Sequence, residues 1–291
     1  DRRAQEAAMK YFFLGAASAA LFLFGFAMLY GATGTMSLVE MAGILTARAE
    51  ATGSIGLLAI IGLLLSIVGV SFKLAAAPLH LYAADVYEGA ATPVTAFLGF
   101  VPKAAGAIAL MLLLSIVSEA GMPLPVLVLL WVMAVLTMTL GNIAALLQQR
   151  IKRMLACSSI AHSGYLLIGI IAGEGDGYAA VLIYLLAYGL SNTATFAVLA
   201  SLRRGGGELE DVEDLAGLRE RHGGLAWAMA ISAGSLLGFP PLLGFWGKLL
   251  LFIAGVMSGH LVLVVIAGIN SAISAWYYLR LVALPLTQDG T

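Results

Sequence analysis

The sequence predicts an all-α polytopic membrane protein of about eight transmembrane helices, two of them broken. Composition is the first observation behind this. Of the 291 residues 61% are hydrophobic and 11% charged, and mean hydropathy is +0.99, whereas a soluble domain is about 45–50% apolar and about 25% charged. The second is length: a helix needs about 20 apolar residues to cross a hydrocarbon core of ~30 Å, and eight stretches have them. The third is periodicity, since none of the eight alternates polar and apolar as a lipid-facing barrel strand would.

The predicted spans are 11–31, 55–77, 93–118, 122–147, 154–172, 178–201, 225–254 and 260–285. The longest polar connection, 202–224, holds Leu209, Val212, Leu215 and Leu218 at helical spacing, which predicts a short amphipathic surface helix. Loops 32–54, 119–121, 173–177 and 255–259 contain one basic residue, Arg48. Ten of the fifteen Lys and Arg residues fall elsewhere: Arg2, Arg3 and Lys10; Arg150, Lys152 and Arg153; Arg203, Arg204, Arg219 and Arg221. Eight spans put these three groups on one face, which the positive-inside rule makes cytoplasmic, with both ends of the chain.

Several function classes fall away. A net charge of −1 gives no field to draw nucleic acid. The single cysteine, Cys157, excludes an internal disulfide and any cysteine-based cluster. His80, His162, His222 and His260 are scattered, without zinc-site spacing, so no metal is expected. Residue 1 is Asp and no signal-peptide pattern follows, which predicts a processed chain or a piece of something longer.

Four basic residues remain: Lys73, Lys103, Lys248 and Arg280. Arg280 lies near a helix end, within snorkelling reach. Lys103 lies about ten residues into its span, hence ~15 Å deep at 1.5 Å per residue. Lys73 and Lys248 lie nearer the ends of theirs. A lysine at the bilayer centre costs about 2.5–3.5 kcal/mol, so three would cost on the order of 8–10 kcal/mol, as much as a whole domain's stability. They are expected to face protein or a hydrated cavity; the rival reading, open most for Lys248, is that each anchors a helix end by snorkelling.

Pro78 follows Lys73, and Pro240 and Pro241 precede Lys248. Proline inside a helix removes a main-chain bond, and unwound backbone at membrane depth must be buried or line water. Broken helices carrying titratable groups recur in transporters, and a lysine loads or loses its proton as a carboxylate approaches or withdraws. Ser159, His162 and Ser163 share one helical face, with His162 mid-span as a candidate relay; an ordinary interhelical hydrogen bond is the alternative. Asn142, Asn192, Asn270 and Tyr188 read as helix–helix ties. No Asp or Glu lies mid-span. Asp85 and Glu88 fall on the basic side, and Glu6 and Lys10 form an i,i+4 pair at the head of the first span.

The strings DVYEGAATPVTAFLGFVPKAAGAIAL, KRMLACSSIAHSGYLLIG and SAGSLLGFPPLLGFWGKLLLF closely resemble the subunit N branch of the antiporter-like family. That family comprises membrane-arm subunits of respiratory complex I (the proton-translocating NADH–quinone oxidoreductase), Mrp-type cation/proton antiporters and membrane-bound hydrogenases. The resemblance implies fourteen helices with two inverted five-helix repeats, each holding one broken helix. On it, residues 1–118 would be three helices of the first repeat, 119–285 the second repeat and 286–291 a tail. It implies proton-transfer roles for Lys73, Lys103 and Lys248, with Glu6 and Lys10 a weaker correspondence. The family's glutamate partner for Lys73 sits on a fifth helix absent here, so this chain alone is not expected to pump. The resemblance further implies partners among complex I membrane subunits, with NADH, FMN, iron–sulfur clusters and quinone held by other subunits and none here. The location implied is the bacterial inner membrane or an equivalent energy-transducing membrane. The alternative functions are a cation/proton antiporter (Mrp-like) or membrane-bound hydrogenase subunit of the same fold, and a structural membrane scaffold subunit.

Overall fold

The computed structural model describes residues 2–204 and 207–287. The last four residues of the expected tail 286–291 lie outside them, as do the side chains of Arg2, Arg3, Arg203 and Arg204. The chain is helical nearly throughout: α1 (Arg2–Thr33), α2 (Leu38–Thr52), α3 (Leu57–Leu74), α4 (Tyr82–Gly89), α5 (Thr92–Ser115), α6 (Leu124–Leu146), α7 (Ile151–Ala172) and α8 (Asp176–Ser201). A two-residue hairpin, β1 (Arg203–Arg204) with β2 (Gly207–Glu208), and a 3₁₀ turn (Val212–Leu215) lead to α9 (Leu218–Leu237), α10 (Leu243–Met257) and α11 (Leu261–Thr287). Among the described residues, seven helices are long and apolar enough to cross a membrane. The eighth expected span, 225–254, is realised as α9 and α10 meeting at a break.

Helix α7 is the centre of the bundle, buried on every side from Met154 to Ile171. A helix apolar all round belongs in a core, and this one carries the serines and His162. Helices α4, α5, α6, α8, α10 and α11 pack around it. Helix α6 comes close because Gly141 and Gly164 face backbone across the seam: a Cβ at Gly141 would stand 2.5 Å from the Ala161 nitrogen. Small residues permit such approach where apolar burial does not drive helices together.

Two expectations fail. The segment 32–54 is not a plain loop, since it contains α2, capped at its start by Ser37, whose hydroxyl accepts from the Glu40 N–H, and ended by Gly53 at φ 74°. Both signals are local, but Glu40, Arg48 and Glu50 mark the segment as non-spanning. The amphipathic surface helix in 202–224 is also absent. Gly217, at φ 68°, interrupts it, and main-chain bonds that a helix would use go to the start of α7: Val212 N–H to Gln149 O at 3.0 Å, and Ile151 N–H to Glu210 O at 2.9 Å. Leu209, Val212, Leu215 and Leu218 are buried, so the apolar face covers protein rather than lying along a bilayer.

Candidate functional site

Each helix break has one physical origin. In an α-helix the N–H of residue i+4 donates to the carbonyl of residue i, and proline has no N–H to give. Pro78 stands four residues after Leu74, so that carbonyl loses its donor; it accepts instead from the Ser163 hydroxyl. Pro240 and Pro241 stand four residues after Leu236 and Leu237. Those carbonyls accept from the Lys248 ammonium, at 3.4 and 2.8 Å, and Ser271 Oγ accepts from it at 3.2 Å. The prolines thus do more than bend the chain. They free main-chain oxygens that the polar row then occupies.

Lys103 is 1% exposed. Its ammonium donates to the Ser159 carbonyl and to Ser163 Oγ at 2.8 Å, so Ser163 joins Lys103 to the end of α3. Beside it, His162 is 3% exposed, with Nδ1 hydrogen-bonded to the Tyr184 hydroxyl and Nε2 to the Tyr278 hydroxyl at 2.7 Å. The Tyr188 ring lies 4.9 Å from the His162 ring and 6.0 Å from the Lys103 ammonium. Lys248, 5% exposed, sits 5.2 Å from the Tyr165 ring centre, and Tyr165 is 5.8 Å from His162. A row therefore runs from the α3 break through Ser163, Lys103 and His162 to Lys248 at the α9–α10 break. Amine, imidazole and hydroxyl groups in such a row can each take up and release a proton.

Lys73 is not drawn into the row. It is exposed in this chain and lines a cleft of about 720 Å³ between α1, α3 and α5. Among the described residues its ammonium has no hydrogen-bond or ion-pair partner. Glu6 and Lys10 do pair, at 2.6 Å, and Lys10 also reaches Asp85 at 2.5 Å. Asn142 bonds Tyr165, Asn270 and Tyr277 at 3.1, 3.2 and 2.9 Å, tying α6, α7 and α11. The expectation of helix–helix ties holds for Asn142, for Asn270 and for Tyr188, whose hydroxyl donates to the Gly99 carbonyl at 3.1 Å and joins α8 to α5; among the described residues Asn192 Nδ2 is buried without a bond. Sequence reasoning missed Tyr184 and Tyr278; the i,i+4 spacing of Tyr184 and Tyr188 was the available signal. Among the described residues no three His, Cys, Asp or Glu side chains stand together to hold a metal.

The basic loops meet on one face through ion pairs. Arg150 and Arg153 clasp Glu88 at 2.5 and 2.8 Å, Arg153 reaches Asp85 at 3.1 Å, Arg150 reaches Glu210 at 3.0 Å, and Lys152 pairs with Glu208. Partial burial pushes the Glu88 carboxyl upward, but bonds from the two arginines outweigh it and hold the group below its ordinary value. A carboxylate shifted down stabilises fully above its unfolded pKa, and that contribution is lost as pH falls through the lowered folded value. Glu88→Gln is therefore expected to loosen α4 at neutral pH by about 1–2 kcal/mol, read as faster hydrogen exchange over 82–89. Acidification should close the gap between variant and native protein. An equal difference at acid pH would refute the charge explanation.

The chain matches a family described as "NADH:quinone oxidoreductase/Mrp antiporter, TM" over residues 1–274. It is 45% identical over 288 residues to NADH-quinone oxidoreductase subunit N of Trichlorobacter lovleyi, covering 99% of this chain and 58% of that one. It superposes with a TM-score of 0.85 on a chain of respiratory complex I from Thermus thermophilus, at 37% identity, covering 100% of this chain and 62% of that one. A chain of the membrane-bound sulfane sulfur reductase, an archaeal respiratory membrane complex, superposes with a TM-score of 0.88 at 29% identity, covering 100% of this chain and 58% of that one. The chain thus spans well under two thirds of the length of these proteins.

Proposed function

The chain belongs to the NADH:quinone oxidoreductase/Mrp antiporter family, and from that premise we propose that it moves protons across an energy-transducing membrane as a non-redox, membrane-arm subunit of an NADH–quinone oxidoreductase. Protons travel along the buried row, with Lys103 as central relay, His162 next to it, and Lys248 at the neighbour-coupling or release end. Lys73 is the switch residue, facing the cleft. Electron transfer takes place in partner subunits that hold NADH, FMN, iron–sulfur clusters and quinone, and the driving event reaches this chain through contacts with other membrane subunits. The basic loops face the cytoplasm, in a bacterial inner membrane or its equivalent.

One observation carries this reading: Lys103 and Lys248 are buried within a row that joins both helix breaks, rather than reaching the surface as lipid anchors would. That weighs against a scaffold. An Mrp-like cation/proton antiporter would use the same fold, but a hydrated sodium ion needs hard oxygen ligands, and the buried polar side chains include no carboxylate among the described residues.

Membrane vesicles containing the assembled complex separate these readings. Quinone-linked electron flow should build a proton gradient in sodium-free medium, and a protonophore should abolish it. A gradient that forms only with sodium, accompanied by sodium movement, would reverse the choice in favour of the antiporter.

A further inference from the structure

The row has a side arm. Tyr278 Oη bonds His162 Nε2 at 2.7 Å and also Ser158 Oγ, and all three residues are buried. Ser158 lies about 10 Å and His162 about 16 Å from the start of α7, at 1.5 Å per residue, and α7 starts at the arginine-rich loop. Ser158 is therefore one turn nearer that face than the row itself. Helix α11 agrees: two residues past Tyr278, Arg280 pairs with Glu213 of the polar connection at 2.6 Å. Hydroxyls thus hold both ring nitrogens of His162, and the one on Nε2 continues to Ser158.

We propose that Ser158 and Tyr278 form a branch that delivers protons to His162 from the face of the basic loops. This inference rests on the proton-translocation reading above. The step balances in protons. Water on the loop side gives a proton to Ser158 Oγ as the serine proton passes to Tyr278 Oη, and the Tyr278 proton passes to His162 Nε2. His162 is left as the imidazolium, with Nδ1–H donating to the Tyr184 hydroxyl. Ser158 and Tyr278 end neutral, the proton drawn from loop-side solvent is held on His162 for release into the row, and rotation of the two hydroxyls resets the arm. Met154, one turn before Ser158 on α7, is fully buried, as are Val212 and Leu215 of the 3₁₀ turn, which is bonded to the residues before α7 through Val212 N–H and Gln149 O. The 3₁₀ turn that carries two of them is the closure through which water must be admitted.

The test uses Tyr278→Phe in the assembled complex, because phenylalanine keeps the ring and loses the hydroxyl. The expected result is about a tenfold or greater loss of quinone-linked proton translocation, toward the hundredfold typical of a positioned proton-transfer group. Assembly should be unchanged, and the solvent deuterium effect on the rate should rise as proton delivery becomes limiting. Tyr277→Phe, which removes a hydroxyl facing Asn142 instead, should lose less than about twofold. Lys103→Ala run alongside keeps two failures apart. If it stops translocation while Tyr278→Phe runs at the native rate and isotope effect, the branch is refuted and the row survives; if neither matters, the row falls with it. Should Tyr278→Phe assemble poorly, Ser158→Ala reads the same link, and a native rate there overturns the proposal.

Discussion

Replacing Lys103 by alanine is expected to abolish quinone-linked proton translocation, by about a hundredfold or more, while leaving the chain assembled. Lys103 is the one amine of the row bonded to Ser163 and to the Ser159 carbonyl on α7, so its loss removes the group that takes up and passes on a proton beside the α3 break. The survival of the fold follows from what the amine leaves behind. The Ser163 hydroxyl keeps its bond to Leu74 O, and the Ser159 carbonyl keeps the main-chain N–H of Ser163, four residues on in α7. Removing one partner of a buried bond is destructive mainly when the other is stranded, and here neither is. Lys103→Met, close in volume, should behave like alanine if charge is what matters. Translocation at the native ratio of protons to electrons in either variant would refute the relay.

A second large effect is expected from a residue with no side chain. Gly244 opens α10, and its N–H donates to Ser235 Oγ at 3.1 Å. A Cβ there would stand 1.7 Å from the Ser235 carbonyl oxygen in the last turn of α9, a main-chain atom that cannot swing aside. Gly244→Ala should therefore push α10 off α9 and draw Lys248, one turn on, away from the Leu236 and Leu237 carbonyls. Overpacking of this kind costs about 1–3 kcal/mol, and translocation should fall about tenfold or more although no titratable group is touched. Gly268→Ala, where a Cβ meets nothing within 4 Å, is the control. If both variants pump alike, the fit of Lys248 at the break is not limiting.

How legible each feature was depended on the range of the force behind it. Span positions followed from hydropathy, and both breaks from proline's missing N–H, because each acts within one helical turn. Even the identity of the freed carbonyls lies in the sequence, since residues 78, 240 and 241 point back four places to Leu74, Leu236 and Leu237. Helix α2 was legible from Ser37 and Gly53 and was obscured by its charges. The 3₁₀ turn was not, because the bonds that displaced a helix come from Gln149 and Ile151, some 60 residues away.

By itself the sequence determined that three amines are placed where lipid would be costly, that two helices must open beside them, and that His162 shares a face with two serines. Only tertiary structure decided which amines are enclosed. It buried Lys103 and Lys248 and left Lys73 facing a cleft, and it brought Tyr184 and Tyr278 onto the two nitrogens of one imidazole. The reason is that burial of a side chain depends on which helix covers it, and α7 meets α11 across 116 residues of chain. No local pattern encodes that contact, because it arises from close packing of surfaces that are equally apolar along most of their length.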